Sequence, residues 1–597
     1  MTEQANTSDL TSVLSPGLSI RQLIQRLPSP QQLSQYNPAS EAIQAWASDE
    51  EVATLQYLSA VRSLRNATVP FIHRLLPDEL ILHILMLAAH GRTRFALQLI
   101  CVCRKWYNIA MSNGQYWSYI DLLDERTSEV FIARSQRADL YIVFNSVIHH
   151  RNYHKPPFKK EIFLPLVDRI AGMEFVLRGG TDVNLLDMEQ FQPVFQSSLP
   201  RLQSFSISNW FSSRHSKSLS LPDIRLEHTL KRLDLEFVTF DWTSPITNNL
   251  RVLQLRQHLS NDQHPSFDTF LDLLERCPNL EELVLHHAGP HLDTGKETYQ
   301  PPRRIFHLEK LRHLAIEDKA FDIAHLLSHL VIPPWATVSL FGMTGDYRPG
   351  AFFQVLPSSL DGFGPIRGAK FIRLKFSHSL LQAHLEGCFL PETSRPYSVS
   401  ITNHVWNIPI PATPIATAVP TLGMARIFQD STVEMFLYEA ESFPGTSFFE
   451  HMWREILPAM QNLRTLSLQF VDPTDLGVTV DIDNLDLALQ PKYGDPRYVL
   501  GQITSAFQSA SLGQPVCPRL TTLCMIDFEI GDFALSLLEE MCTCRRSTGV
   551  AMKRLVFRDC SYDGMHGSLR RASSAILGPF GVEIIFSGTR GEEELPW

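Results

Sequence analysis

Two short stretches decide the fold: Asn249-Leu250-Arg251-Val252-Leu253-Gln254-Leu255-Arg256, and then Asn279-Leu280-Glu281-Glu282-Leu283-Val284-Leu285-His286. Both read apolar, two residues, apolar, one residue, apolar. The last two apolar positions alternate, which is the period of a strand that buries one face. Clear copies recur outward from this pair at Leu202-x-x-Phe205-x-Ile207, Leu230-x-x-Leu233-x-Leu235 and Leu311-x-x-Leu314-x-Ile316. Further along come Leu463-x-x-Leu466-x-Leu468, Leu520-x-x-Leu523-x-Met525 and Met552-x-x-Leu555-x-Phe557. Weaker copies stand at Ile170-x-x-Met173-x-Phe175, Trp335-x-x-Val338-x-Leu340 and Phe371-x-x-Leu374-x-Phe376.

The first five clear copies start at 202, 230, 250, 280 and 311, so 20 to 31 residues separate neighbours. That length holds one strand and one helix. Phe267, Phe270, Leu271 and Leu274, at helical spacing before Leu280, supply such a helix. The repeat matches a loose leucine-rich repeat, in which alternate strand residues point inward and the intervening ones line a concave face. The expected fold is α/β, with residues 125–597 forming an irregular solenoid. A mixed α/β domain whose short strands mimic a repeat is the alternative the pattern leaves open. Residues 403–430 (rich in Pro, Ala and Thr) and 471–500 (rich in Asp and broken by Pro) read as insertions or irregular repeats.

Composition agrees with a folded chain. Of 597 residues, 44% are hydrophobic and 19% charged, and the net charge of -10 weighs against a nucleic-acid binder. No apolar run reaches the length of a membrane span, and Met1–Leu10 has no signal-peptide pattern. Nine cysteines, an odd number, suit free thiols in a reducing setting, so cytoplasm and/or nucleus is expected.

The N-terminal part is different in kind. Residues 1–40, rich in Ser, Gln and Pro, read as a disordered tail, and a helix is expected within 41–70, ending before Pro70. Leu76-Pro77-Asp78-Glu79 then looks like a helix start: proline at an early position loses no needed N–H, and carboxylates suit the helix dipole. The following run Leu80–Leu87 is apolar nearly all round, so it must be covered on more than one side. A second helical stretch from about Phe95 carries Leu97, Ile100, Val102 and Trp106, and a short element leads to Tyr116-Trp117. So small a segment has more apolar surface than its own helices can cover.

These residues carry a resemblance. Leu76-Pro77-Asp78-Glu79-Leu80-x-x-x-Ile84-Leu85, then Val102-Cys103-Arg104-Lys105-Trp106-x-x-x-Ala110, then Tyr116-Trp117, resembles an F-box, assigned to residues 71–124. The loop from His90 to Phe95 is longer than in compact F-boxes. The flanks, Leu64-Arg65-Asn66 before the box and Ala133-Arg134-Ser135 with Leu140–Phe144 after it, resemble F-box proteins of mushroom-forming fungi. The resemblance implies docking on the Skp adaptor of a cullin–RING ubiquitin ligase through Pro77, Leu80, Ile84, Leu85, Val102 and Trp106, with Cys103 and Trp117 packed inside. The repeat domain would hold an unidentified protein substrate. The expected function is therefore a non-enzymatic substrate-recognition subunit of an SCF-type E3 ligase; the alternative is an F-box scaffold acting without ubiquitylation.

Candidate substrate contacts are Arg251, Arg256, Arg312, His313 and Arg464, which lie between buried strand positions and would suit an acidic or phosphorylated partner. No cofactor, metal, membrane or nucleic-acid partner is expected. Gly289–Glu297 resembles a phosphate loop but has five residues between its glycines and Glu297 where a hydroxyl is needed. His325 and His329 share a helical spacing without the glutamate of a zinc protease. Cys101-x-Cys103 and Cys542-x-Cys544 are too close for a zinc knuckle and read as helix-borne thiols. The run His149, His150, Arg151, His154, Lys155, Lys159 and Lys160 reads as a solvated basic segment, with phosphate or acidic-peptide binding as the alternative.

Overall fold

The computed structural model describes residues 41–68, 76–89, 93–122, 125–145, 163–178, 191–210, 219–221, 224, 230–256, 264–290, 303–344, 355–357, 359–367, 371–377, 382–388, 399–405, 428, 432–441, 452–471, 496–509, 515–562 and 568–587. The 1–40 tail, the basic run at 149–160 and the 291–297 loop lie outside these residues, as does most of the 403–430 and 471–500 segments. The chain divides into two compact units, Met1–Trp117 and Ser118–Trp597, at a boundary earlier than the 124/125 division expected.

The first unit is helical. It contains α1 (Glu41–Thr68), α2 (Asp78–Ala89), α3 (Thr93–Ile100), α4 (Arg104–Ser112) and a 3-10 turn at Gly114–Trp117. The second helical stretch of the sequence reading is two helices, because the chain turns at Cys101–Cys103. Cys103, extended at φ -159°, caps the start of α4, so Val102 lies in the turn and Trp106 on the next helix. Cys101 and Cys103 are therefore not on a helix, whereas Cys542 and Cys544 are.

Among the described residues, the second unit mixes helices with mostly parallel strands in two large sheets, of ten and seven strands, and three two-stranded pairs. The first sheet comprises β1 (Tyr119–Asp121), β2 (Leu140–Asn145), β3 (Ile170–Arg178), β4 (Ser204–Trp210), β5 (Arg232–Glu236), β6 (Val252–Arg256), β7 (Glu282–His286), β8 (His313–Lys319) and β9 (Thr337–Thr344). The next two strands, β10 (Phe371–Ser377) and β11 (Gln382–Cys388), belong to the second sheet, but β12 (Val399–Val405) returns to the first. The second sheet continues with β13 (Met435–Glu441), β14 (Thr465–Val471), β15 (Thr522–Ile526), β16 (Arg554–Arg558) and β17 (Glu583–Ser587). The first sheet runs β1 to β9 in chain order and ends on β12; the second runs β11-β10-β13-β14-β15-β16-β17. All pairings within these two sheets are parallel except β10 with β11.

The motif leucines explain this order. Met173, Phe205, Leu233, Leu253, Leu283, Leu314 and Val338 are matched across successive strands, and so are Phe175, Ile207, Leu235, Leu255, Leu285, Ile316 and Leu340. From Phe205 through Leu283 every one of these side chains is 0% exposed. Parallel neighbours need a crossover connection, and helices supply several of them. α6 (Phe267–Glu275; α5 is Glu125–Arg134) follows β6 and buries Phe270, Leu271, Leu273 and Leu274, and α7 (Ala320–Ser328) follows β8. Beside the second sheet α8 (Met452–Ala459), α9 (Pro496–Ser509), α10 (Asp532–Ser547) and α11 (Leu569–Leu577) pack in sequence, each on the next. A repeated turn leaves the strands: Phe237, His287, Asp527 and Asp559 take φ between 50° and 56°.

Two weak copies of the motif are corrected. Leu374 is matched with Tyr438 and hence Leu468, so it is the third apolar position; Ile372, not Leu374, is the second. At β9 the second and third positions hold, but Trp335 is 59% exposed and the buried residue before the strand is Ala336. One copy escaped the sequence reading: Val433-x-x-Phe436-x-Tyr438, buried at all three positions.

Candidate docking surfaces

Helix α2 presents two faces. Ile81, Leu82, Leu85 and Ala89 are buried, whereas Leu80, Ile84 and Leu87 are 50%, 47% and 64% exposed. Positions i, i+4 and i+7 fall on one side of a helix, so these three form an uncovered apolar stripe. The interior is closed by Trp117, whose Nε1 donates to the Ala110 carbonyl at 2.7 Å, and by Tyr116, whose hydroxyl donates to the Ala96 carbonyl at 2.7 Å. Their rings meet edge to face at 5.3 Å. An ion pair at 2.9 Å between Asp78 and Lys105 ties the start of α2 to α4.

Of the six residues expected to meet an adaptor, Pro77, Leu80, Ile84 and Val102 are exposed and Trp106 is half-buried. Leu85 is 1% exposed and belongs to the interior. Helical spacing separates it from the Ile84 side of the stripe: adjacent residues diverge by about 100° around the axis, which turns Leu85 inward once Ile84 faces out. Leu87, which the resemblance did not name, extends the stripe by one turn, and the same periodicity that reveals Leu80 and Ile84 would have found it.

The second surface is the open face of the first sheet. Side chains alternate along a strand, so the residues between the buried leucines share the opposite face. Arg232, Asp234, Glu236, Arg256, Glu282, His286, His313 and Glu317 lie there, partly exposed. Asp234 is 3.7 Å from Arg232 and 4.0 Å from Arg256. Burial still pushes its carboxyl above the usual range, with the two arginines opposing. Gln254, only 6% exposed, donates to Glu282 at 2.5 Å and accepts from Arg256 at 2.9 Å. Glu236 accepts from Ser208. Glu317 lies 3.3 Å from His286 and 3.2 Å from His287. Its hydrogen bond raises the pKa of His287, while burial lowers that of His286.

The five candidate substrate contacts do not form one row. Arg256 and His313 are on this open face. Arg251 and Arg312 have the parity of the buried leucines and sit just before their strands, where Arg251 is 3.6 Å from Glu281. Arg464 occupies the same kind of place in the second sheet, 3.5 Å from Glu434. The sequence reading merged these rows because it treated every residue between motif leucines as equivalent; the entry residue is at the strand's end and the others are along its face.

Four further residues singled out in the sequence, His325, His329, Cys277 and Cys517, have packing roles. His325 and His329 stand 5.1 Å apart against Phe267, and Nδ1 of His329 is 2.8 Å from the Arg304 carbonyl. Cys277 and Cys517, each followed by proline before a strand, donate to the Thr247 and Leu457 carbonyls at 2.8 and 2.9 Å. Burial pushes their thiols up to about 11 and about 12, far from a reactive thiolate. Among the described residues, no group of three His, Cys, Asp or Glu side chains is placed to hold a metal ion. Among them, too, no helix is long and apolar enough to cross a membrane. No protein-family model matches the chain, and no curated protein matches it.

Proposed function

We propose that the chain is a substrate-recognition subunit of an SCF-type ubiquitin ligase, itself without catalytic activity. Its helical unit would dock the Skp adaptor, and its strand–helix region, read as an irregular leucine-rich-repeat solenoid, would hold a protein substrate. The observation that carries this reading is the uncovered stripe Leu80, Ile84 and Leu87 on α2, in a unit whose other α2 face is fully packed. Exposed aliphatic side chains at helical spacing on a compact unit fit a protein partner. The sequence pattern Leu76-Pro77 … Val102-Cys103-Arg104-Lys105-Trp106 … Trp117 adds the resemblance to an F-box.

The test is co-purification of the tagged chain with its adaptor. Leu80→Asp combined with Ile84→Asp places two charges on an interface that must be desolvated, at a cost of about 2–5 kcal/mol each. Both positions are about half exposed in the free chain, so the variant keeps its fold. Adaptor recovery is expected to fall to background; undiminished recovery overturns the docking assignment. Cullin in the same eluate supports the ligase reading, and adaptor without cullin supports a scaffold acting outside ubiquitylation.

A further inference from the structure

We infer that α1 pairs, antiparallel, with the α1 of a second copy of this chain. The inference goes beyond the function proposed above and does not rest on it. Every side chain described on α1, from Gln44 to Arg62, is exposed. Arg104 of α4 reaches one flank of the helix, donating to the Ser59 hydroxyl at 3.4 Å. Val52, Leu55, Leu58 and Val61 are nonetheless between 39% and 58% exposed. A helix in water draws most of its stability from packing an apolar face. Among the described residues, nothing in this chain covers that face of α1.

The face is self-complementary, which points to a second copy. Glu51, Leu55, Leu58 and Arg62 follow one another at intervals of four, three and four, the seam of a two-helix coil. They are placed symmetrically about the midpoint between Gln56 and Tyr57. A two-fold axis through that midpoint sets Leu55 against Leu58 of the other copy and Glu51 against Arg62 of the other copy, at both ends. Val52 and Val61 border the leucines on opposite sides, while Asp49 and Tyr57 fall on the far side of the helix. Charge order fixes the direction. Every acidic residue of α1 (Glu41, Asp49, Glu50 and Glu51) precedes every basic one (Arg62 and Arg65). Parallel pairing would set Glu51 against Glu51 and Arg62 against Arg62; antiparallel pairing makes both ends attractive. The helix dipole does not account for this order, since it acts within the first and last turns, and Asp49, Glu51 and Arg62 lie deeper. A helix of another protein would have to match this symmetry by chance, whereas a second copy matches it necessarily.

The test is sedimentation equilibrium of the full chain at about 1–100 μM, the range of affinity that a small interface supplies. A monomer–dimer equilibrium is expected; a chain still monomeric at about 100 μM overturns the inference. Leu55→Gln with Leu58→Gln puts good helix formers at exposed positions, so α1 is retained, and should raise the dimer dissociation constant about tenfold or more. Glu51→Arg alone, or Arg62→Glu alone, sets like charges together at both ends and should raise it about fivefold. The combined variant, Glu51→Arg with Arg62→Glu, restores opposite charges across the pair and should return to within about twofold of the unmodified chain. An undiminished dimer in the leucine variant, or charge reversals that the combined variant does not rescue, overturn the inference. Loss of the dimer in Leu80→Asp with Ile84→Asp overturns it too, by placing the contact on α2. That same variant separates the two readings: adaptor lost and dimer kept supports both, and adaptor and dimer both kept removes the docking assignment alone.

Discussion

Trp117 is the largest fully buried side chain of the helical unit, and with Tyr116 it locks the end of that unit onto α3 and α4 through two carbonyl-directed bonds. Leu85 belongs to the same unit's interior, at 1% exposure. Leu85→Ala removes packing that cannot be refilled, so a loss of about 2–5 kcal/mol is expected. Hydrogen exchange over residues 76–117 in the full chain would register it as lost protection, while the strands of the second unit keep theirs. Tyr116 offers a pH test. Burial is the main cause that raises its phenol to about 12 from 10.0. The neutral form is therefore favoured in the folded state, and its stability contribution is present below pH 10 and lost as pH rises from 10 toward about 12. Ultraviolet titration of tyrosinate should show a late-titrating group that Tyr116→Phe removes. Tyr119 is likewise raised to about 12, first by burial, so Tyr116→Phe should diminish the late step without abolishing it.

At the scale of elements, the strands were legible because burial demands one thing of them, an apolar residue at alternate positions. Phe205, Leu233, Leu253 and Leu283 satisfy it with almost no variation in side-chain size. Where that demand relaxes, so does the reading: β10 offers Phe371, Ile372, Leu374 and Phe376, and only backbone pairing distinguishes the two possible registers. The strand exits were not legible at all. Phe237, His287, Asp527 and Asp559 share a left-handed conformation, which Asp and His adopt more readily than most residues but Phe does not, so no single residue type marks the turn. The hydrogen bonds impose it: Phe237 N–H donates to the Arg256 carbonyl at 3.0 Å, Asp527 to Arg558 at 3.0 Å and Asp559 to Ser587 at 3.1 Å. Asp559→Gly should thus be neutral or stabilising, whereas Asp559→Val, β-branched at positive φ, should cost about 1–2 kcal/mol. Urea midpoints of the two variants give the comparison. The exposed stripe on α2 was half legible: its residues carried a recognisable pattern, but a run apolar nearly all round does not by itself say which of Ile84 and Leu85 faces out.

For the whole molecule, neighbouring strands are hydrogen-bonded in chain order through most of both sheets, so each strand is supported by those beside it. Truncation after residue 460 would remove β14 to β17 and leave the backbone edge of β13 unpaired, with Phe436, Tyr438 and Trp453 stripped of their cover. Aggregation detectable by light scattering is expected, since an exposed apolar sheet edge recruits other chains. A soluble 118–460 fragment with a cooperative unfolding transition would show instead that the later strands form a separate domain.

The departure from chain order has a consequence for synthesis on the ribosome. From β1 to β9, every new strand emerges to find its neighbour already made. Then β9, complete at Thr344, must wait for β12, which begins only at Val399, while β10 and β11 are laid down for the other sheet. At about 5–20 residues per second, that edge stays open for roughly 3–11 s. The nascent chain thus has need of a chaperone past the midpoint of its own translation, with the first sheet built except for its last strand.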